Sequence, residues 1–433
     1  MVEKPNHCRK LFIEPTTRCN LRCEMCVKQA PGNAIKDGDL SLDLFERLMP
    51  GLQDLETVVF SGIGEPLLHP GLERMIATAG GLCNNGGTIG LQTNGTLLNI
   101  ERIRSLLASG LNELCISLDS VNPDIFSRVR AGGNLETVKK AFAAMNTARS
   151  ELKRAFRFGV EFVVMKQNLQ NLPAVIQWAA ENGASFAIVT HLLPYGKSME
   201  AQCINSPNLN VSRQLYQRYK TRSEERDLEL DRYLKQRWRY HWNTSKKEGE
   251  SEVMALGLDM INHAYENNIP LHLKNLISED EATLDETKRV FQEASDTAEA
   301  TGLELTLPEL FPRYDRQCHF IEEGSLFVAQ DGQVYPCYFL WHQYSFYQNG
   351  LPLKVTPLSF GDLGSQSIEA IWSSETFAAF QNKVLAYDYP YCGNCNLGPC
   401  NLFTAKQFEF DCYARDIPCG SCPWCGGLLH CLQ

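Results

Sequence analysis

From residue 10 to residue 195, short apolar runs alternate with amphipathic stretches, and this alternation limits the possible folds more than any other feature of the chain. Apolar runs of this kind suit strands of a parallel sheet, and the amphipathic stretches suit the helices that return the chain between them. Strands are predicted at Leu11 to Glu14, Thr57 to Phe60, Thr88 to Gln92, Glu113 to Leu118, Phe158 to Met165 and Phe186 to Thr190. Helices are predicted at Leu42 to Leu52, Gly71 to Thr78, Ile100 to Ser109, Leu135 to Arg149 and Leu172 to Asn182. Six strands with five crossovers suit a barrel or an open doubly wound sheet, and periodicity does not choose between them.

The pattern changes near Asn205. The stretch "RYKTRSEERDLELDRYLKQRWRYHWN" is densely charged and "EVMALGLDMINHAYENN" has helical spacing, so a helical insertion is expected up to about Thr301. Its charges read as a solvated helix face rather than a nucleic-acid site. After Leu303, "LELTLPEL" resumes an extended pattern, and "SLFVAQDGQVYPCYF" sets two apolar runs on either side of Asp331 and Gly332, a hairpin signal. A chain of 433 residues exceeds one ordinary core, which leads to three expected domains: residues 1–203, 204–310 and 311–433. A net charge of −10 speaks against binding to nucleic acid. No apolar run reaches bilayer length and "MVEKPNHCRKLF" lacks a signal-peptide core, so no membrane association and a cytoplasmic location are expected.

Seventeen cysteines are many for such a chain, because cytosolic thiols stay reduced and seldom form lasting disulfides. Cys8, Cys83, Cys115 and Cys203 are scattered and read as small buried hydrophobes. Cys19, Cys23 and Cys26 stand together in "TTRCNLRCEMCVK", and the next cysteine is Cys83. A tetrahedral zinc site or a wholly protein-ligated four-iron cluster takes four ligands. A trio that stops at three suggests a cluster with one iron left for a ligand that is not protein.

Distinctive residues gather at the carboxyl ends of the predicted strands, where the active sites of parallel α/β folds collect. The three-cysteine loop follows the first strand, "SGIGEP" (Ser61 to Pro66) the second and "QTNG" (Gln92 to Gly95) the third. "SLDS" (Ser117 to Ser120) closes the fourth and "THLLPYG" (Thr190 to Gly196) follows the sixth. Gly62 and Gly64 permit close backbone approach, so that peptide groups can bind a small polar ligand. His69 and His191 lie near strand ends and read as hydrogen-bonded loop histidines.

The Cys-x3-Cys-x2-Cys loop followed by a Gly-Glu-Pro turn resembles the radical S-adenosylmethionine (SAM) superfamily over residues 10 to about 195. The resemblance implies a partial (β/α)6 barrel and a [4Fe-4S] cluster held by Cys19, Cys23 and Cys26, whose fourth iron is chelated by the amino and carboxylate groups of SAM. Reductive cleavage of SAM then yields a 5'-deoxyadenosyl radical that abstracts hydrogen from substrate. By the same resemblance Gly62, Gly64, Glu65 and Pro66 pair with the SAM amino group, and Ser117 and Asp119 lie near its ribose and carboxylate. Asn94 borders the pocket, and Arg130 either offsets the SAM carboxylate or forms a helix-surface ion pair. Two positions depart from the family pattern: the turn reads Gly-Ile-Gly-Glu-Pro, and Val27 stands where an aromatic is common.

The remaining cysteines, Cys318, Cys337, Cys392, Cys395, Cys400, Cys412, Cys419, Cys422, Cys425 and Cys431, resemble the SPASM extension of such enzymes, which carries auxiliary [4Fe-4S] clusters. The spacing departs from that pattern past Cys400. Ten thiols exceed the eight that two clusters require, so one or two auxiliary clusters are expected, with zinc as the alternative. The tail "CGSCPWCGGLLHC" also resembles SPASM proteins associated with maturation of tungsten-dependent oxidoreductases. The implied activity is modification of a peptide, a protein or a metalloenzyme partner, with ferredoxin or flavodoxin as reductant. A small-molecule dehydrogenase and a non-catalytic iron-sulfur carrier are the alternatives.

Overall fold

Strands form where β-branched and aromatic residues cluster, and those clusters define β1 (Lys10–Ile13), β2 (Leu55–Phe60), β3 (Cys83–Thr93), β4 (Glu113–Ser117), β5 (Arg157–Val164) and β6 (Phe186–His191). The computed structural model describes residues 5–48, 55–151, 155–239, 250–395, 400 and 408–432. The six strands pair in parallel and in chain order. A doubly wound sheet would reverse that order at a switch point, so the sequential order makes this a partial barrel. Between the strands run α1 (Leu42–Glu46), α2 (Leu72–Gly80), α3 (Ile100–Ser109), α4 (Pro123–Val129), α5 (Leu135–Glu151) and α6 (Leu172–Glu181). The expected helix at Leu42 to Leu52 is shorter, ending at Glu46, and residues 49–52 lie outside the described residues.

Past β6 come α7 (Lys197–Glu200), α8 (Asn210–Glu224), α9 (Leu230–Arg239), α10 (Glu250–Glu266), α11 (Leu273–Ile277) and α12 (Glu281–Thr301), then β7 (Glu304–Thr306). Helices α8 to α11 share a small core of their own around Leu215, Tyr219, Leu234 and Met260. Helix α12 does not belong to that core. It buries Val290, Phe291, Ala294 and Ala298 in the main core, and the chain then adds β7 in parallel to β6. A parallel neighbour needs a crossover helix, so α12 completes the sixth β-α unit, although its charge pattern had placed it in the insertion.

The C-terminal third contributes α13 (His319–Glu322), β8 (Ser325–Val328), β9 (Gln333–Tyr335), β10 (Tyr344–Gln348), β11 (Leu351–Val355), β12 (Gly361–Asp362), α14 (Ile368–Trp372) and α15 (Glu375–Leu385). The expected hairpin is present as β8 and β9, with Gly332 at φ +82 in its turn. β8 also pairs in parallel with β1, so the order runs β12-β9-β8-β1-β2-β3-β4-β5-β6-β7 and the hairpin extends the barrel wall. β10 and β11 form a separate hairpin whose Asn349-Gly350 turn has positive φ at both residues, the type I′ geometry that these two residues favour.

Candidate active site

The loop after β1 carries three thiols in a compact arrangement. Cys26 N–H donates to the Cys23 carbonyl at 3.0 Å, and the Cys26 carbonyl accepts from Gln29 at 2.9 Å. Lys28 Nζ donates to the Thr17 carbonyl at 2.6 Å, which draws the two limbs of the loop together. Backbone bonds from Arg22 to Ala131 (2.8 Å) and from Glu24 to Val129 (2.9 Å) fasten the loop to the last residue of α4 and the segment after it. Burial pushes all three thiols up, Cys26 to about 11; Cys23 raises Cys19 further, and Cys19 and Cys23 together raise Cys26. Three mutually repelling thiols in a partly dry loop suit a polynuclear cation that stabilises them as thiolates.

The turn after β2 lies against this loop. A Cβ on Gly64 would sit 2.2 Å from the Thr16 carbonyl oxygen and 2.6 Å from that of Arg18, so only glycine allows the two backbones to meet. Glu65 is buried, and Pro66 begins the short turn that Glu65 caps. The Glu65 Oε1 accepts from Thr93 Oγ1 (2.6 Å) and Leu67 N–H (3.1 Å), and Oε2 accepts from Asn94 N–H (2.7 Å). Three of roughly four lone-pair sites are therefore occupied by protein, and the carboxylate braces the turn against β3. Asn94 Nδ2 donates to Asn20 Oδ1 at 2.9 Å, which links the third strand end to the cysteine loop.

Asp119 and Arg130 form a buried pair. Asp119 is fully buried, its Oδ1 accepting from Val163 N–H at 2.8 Å and its Oδ2 lying 2.6 Å from Arg130 Nε. The buried carboxylate thereby holds the Arg130 guanidinium in place. Arg130 lies in the buried interior and not on a helix surface; its Nη1 is 4.0 Å from Cys23 Sγ. Ser117, buried at the end of β4, is in register with Glu161 of β5.

Glu161 was missed by the sequence reading, as was Glu14. Burial raises the Glu161 carboxyl to about 7, partly offset by Arg130, and Gln92 donates to its Oε2. Glu14 is wholly buried, with Oε1 accepting from Ile63 N–H at 3.0 Å and Oε2 lying 2.9 Å from His342 Nε2. A Cβ on Gly62 would come within 2.6 Å of Glu14 Cγ, so this turn packs directly on the Glu14 side chain. The available signal was an acidic residue inside an otherwise apolar run, "LFIEP" and "GVEFVV". His69 meets its structural reading: Nε2 reaches the Leu40 carbonyl at 2.9 Å and Nδ1 accepts from Gly71 N–H at 3.1 Å.

The C-terminal thiols separate into two groups. Cys318, Cys337, Cys419, Cys422 and Cys425 perturb one another's titration, with Cys425 held down by contacts from Cys318 and Cys422. Cys392, Cys395, Cys400 and Cys412 form the other, in which Cys395 and Cys400 raise both Cys392 and Cys412. Burial pushes the Tyr338 phenol up, and Cys431 pushes it further.

Comparison with known proteins agrees with this geometry. The radical SAM superfamily profile matches residues 13–179, and the profile of the SPASM iron-sulfur cluster-binding domain matches residues 318–396. The chain is 26% identical to a tungsten-containing aldehyde ferredoxin oxidoreductase cofactor-modifying protein of Pyrococcus furiosus, over 97% of this chain and 96% of that protein. It is 30% identical to the AdoMet-dependent heme synthase of Methanosarcina barkeri over 46% of this chain and 55% of that protein. Among solved structures, Streptococcus suis SuiB bound to S-adenosylmethionine shares the fold at a TM-score of 0.50 and 12% identity, covering 87% of this chain and 68% of that one. A radical SAM domain carries a [4Fe-4S] cluster with SAM, and a SPASM domain carries auxiliary iron-sulfur clusters. The chain carries a radical SAM domain followed by a C-terminal SPASM domain.

Proposed function

We propose that the enzyme is a maturase that cleaves SAM reductively and uses the resulting radical to modify a peptide, a protein side chain or a metalloenzyme partner. Its resemblance over nearly the whole chain to a cofactor-modifying protein supports this reading over a small-molecule dehydrogenase. The intact trio beside a braced turn supports turnover over a passive electron carrier. The observation that carries the reading is the resemblance to that cofactor-modifying protein over 97% of this chain; inside the site, the buried Arg130 guanidinium lies 4.0 Å from Cys23 Sγ.

Cys19, Cys23 and Cys26 would hold the cluster that SAM completes. When bound, that pair supplies a one-electron cleavage of a carbon–sulfur bond and a primary carbon radical. The chain's own residues set the conditions. Arg130, held by Asp119, offers positive charge to the SAM carboxylate and to the thiolates. The backbone of Gly62 to Gly64, which Glu65 and Glu14 keep rigid, offers peptide groups to the SAM amino group. Asn94 and Ser117 border the same space, and Glu161 adds a carboxyl that titrates near neutrality. Water is kept out by rings that meet edge to face: Phe12, Phe327 and Trp341 pack around Tyr338.

The two C-terminal thiol groups support two auxiliary clusters, one per group, in the unit proposed over residues 311–433. Within the unit proposed over 204–310, helices α8 to α11 are proposed to face the partner, and the unit at 1–203 is proposed to hold the chemistry. A ferredoxin or flavodoxin is the proposed reductant and the cytoplasm the proposed location; among the described residues no helix is long and apolar enough to cross a membrane. The test is anaerobic reconstitution with iron and sulfide, followed by assay of 5'-deoxyadenosine and mass spectrometry of co-expressed candidate partners. Abundant 5'-deoxyadenosine with no mass change in any partner protein, but oxidation of a small metabolite, would favour the dehydrogenase.

A further inference from the structure

A cleft of about 220 Å³ opens beside the carboxyl end of β6, outside the residues assigned above to SAM. Its walls include Leu192, Leu193, Phe346, Pro423 and Leu428, contributed by the β6 loop, the β10 strand and the cysteine-rich tail. His191 also lines it. This ring is only 3% exposed and donates from Nε2 to the Glu309 carbonyl at 2.9 Å, which leaves Nδ1 as the unprotonated acceptor. Among the described residues, His191 Nδ1 has no hydrogen-bond partner, and neither does the buried Oε1 of Gln348 in the same cleft. A buried acceptor without a donor costs free energy, so two of them on residues that line one cleft point to a ligand that supplies the donors.

The polar lining selects the ligand. Glu200, whose carboxylate takes one bond from Gly350 N–H at 2.8 Å, adds a third acceptor. Among the described residues no lysine or arginine lines the cleft, so nothing there would hold an anion. Burial keeps His191 neutral, down at about 4, which preserves its lone pair at physiological pH. A guanidinium carries five donors and no acceptor in a planar fork, and its methylene stem suits apolar walls.

We propose that this cleft binds an arginine side chain of the peptide or protein partner, a proposal that rests on the maturase reading of the neighbouring site. The loop that lines the cleft also reaches the cysteine loop: Pro194 lines the cleft, and a Cβ on Gly196 would lie 3.7 Å from Cδ of Pro31, which follows Cys26 in the chain. An arginine seated here would bring the chain flanking it toward the three-cysteine loop.

The test is calorimetric titration of the cluster-loaded full chain with N-acetyl-arginine methylamide. Saturable binding is expected, at least tenfold tighter than that of N-acetyl-norleucine methylamide, which keeps an apolar stem and loses the donors. Gln348→Leu and Glu200→Gln should each weaken arginine binding about three- to tenfold, with circular dichroism checking that both variants fold. Equal binding of the norleucine amide, or variants that fold and bind the arginine amide unchanged, would overturn the site, and tighter binding of the lysine amide would overturn the guanidinium assignment. SAM cleavage by the wild-type chain without any peptide is scored separately: its absence contradicts the maturase reading, whereas absent arginine binding beside intact cleavage contradicts the cleft alone.

Discussion

Arg130 Nε lies 2.6 Å from Asp119 Oδ2, with both side chains buried, and the same guanidinium reaches to 4.0 Å from Cys23 Sγ. Removing one partner of such a pair leaves an uncompensated charge in a dry site. Asp119→Asn is expected to cost about 3 kcal/mol of stability, seen as a lower unfolding midpoint, and to weaken SAM binding. A double variant, Asp119→Leu with Arg130→Met, should recover part of the stability and none of the binding. Unchanged SAM affinity in the double variant would show that the pair is structural only.

Gly64→Ala tests the close approach of the turn to the cysteine loop. The added carbon would meet the Thr16 carbonyl at 2.2 Å, so the turn or the loop must move. The expected result is at least a tenfold loss of SAM affinity, measured by equilibrium dialysis. Gly81→Ala is the control, because its nearest neighbour would be at an ordinary 3.4 Å and its φ is −77.

Glu161 predicts a pH dependence. Its carboxyl is raised from 4.5 to about 7 in the folded chain, so between those values the folded state binds more protons than the unfolded one. Stability should therefore fall as pH rises from about 5 to about 7.5, by an amount on the order of 2–3 kcal/mol for this one group. Glu161→Gln is expected to flatten that slope, measured as the difference in unfolding midpoint between pH 5.5 and pH 8. An identical slope in the variant would assign the dependence to another group.

The two thiol groups of the C-terminal third predict about 12 irons per chain at four per cluster. Cys395→Ala should remove about four of them and leave the signal of the cluster at the N-terminal loop intact. Iron analysis with Mössbauer spectroscopy checks this, and zinc in place of the lost iron would contradict the assignment.

Much of this arrangement was legible from local sequence. Six strands and five helices were placed to within a few residues, apart from the long β3 and the shorter α1, because β-branched runs and helical spacing are local signals. Helix α4 was not foreseen, although Asn122 and Pro123 are an N-cap followed by a first-turn proline, and Arg130 is its C-cap. The pairing of β1 with β8 was out of reach: Leu11 and Leu326 are joined by register and not by anything near either residue in the chain. The protein contacts of Asp119 and Glu65 were out of reach for a related reason. Family resemblance pointed each toward a ligand, whereas the hydrogen bonds that hold them come from Val163, Thr93 and Asn94 on neighbouring strands. Buried Glu14 and Glu161 were visible only as charges out of place in apolar runs.

The central claim is that the three-cysteine loop leaves one iron open for SAM, and the most direct measurement is electron-nuclear double resonance on the reduced protein with nitrogen-15-labelled SAM. The account predicts a nitrogen-15 hyperfine coupling from the SAM amino group to the cluster, absent in Cys23→Ala. A reduced cluster whose spectrum is the same with and without SAM would contradict it.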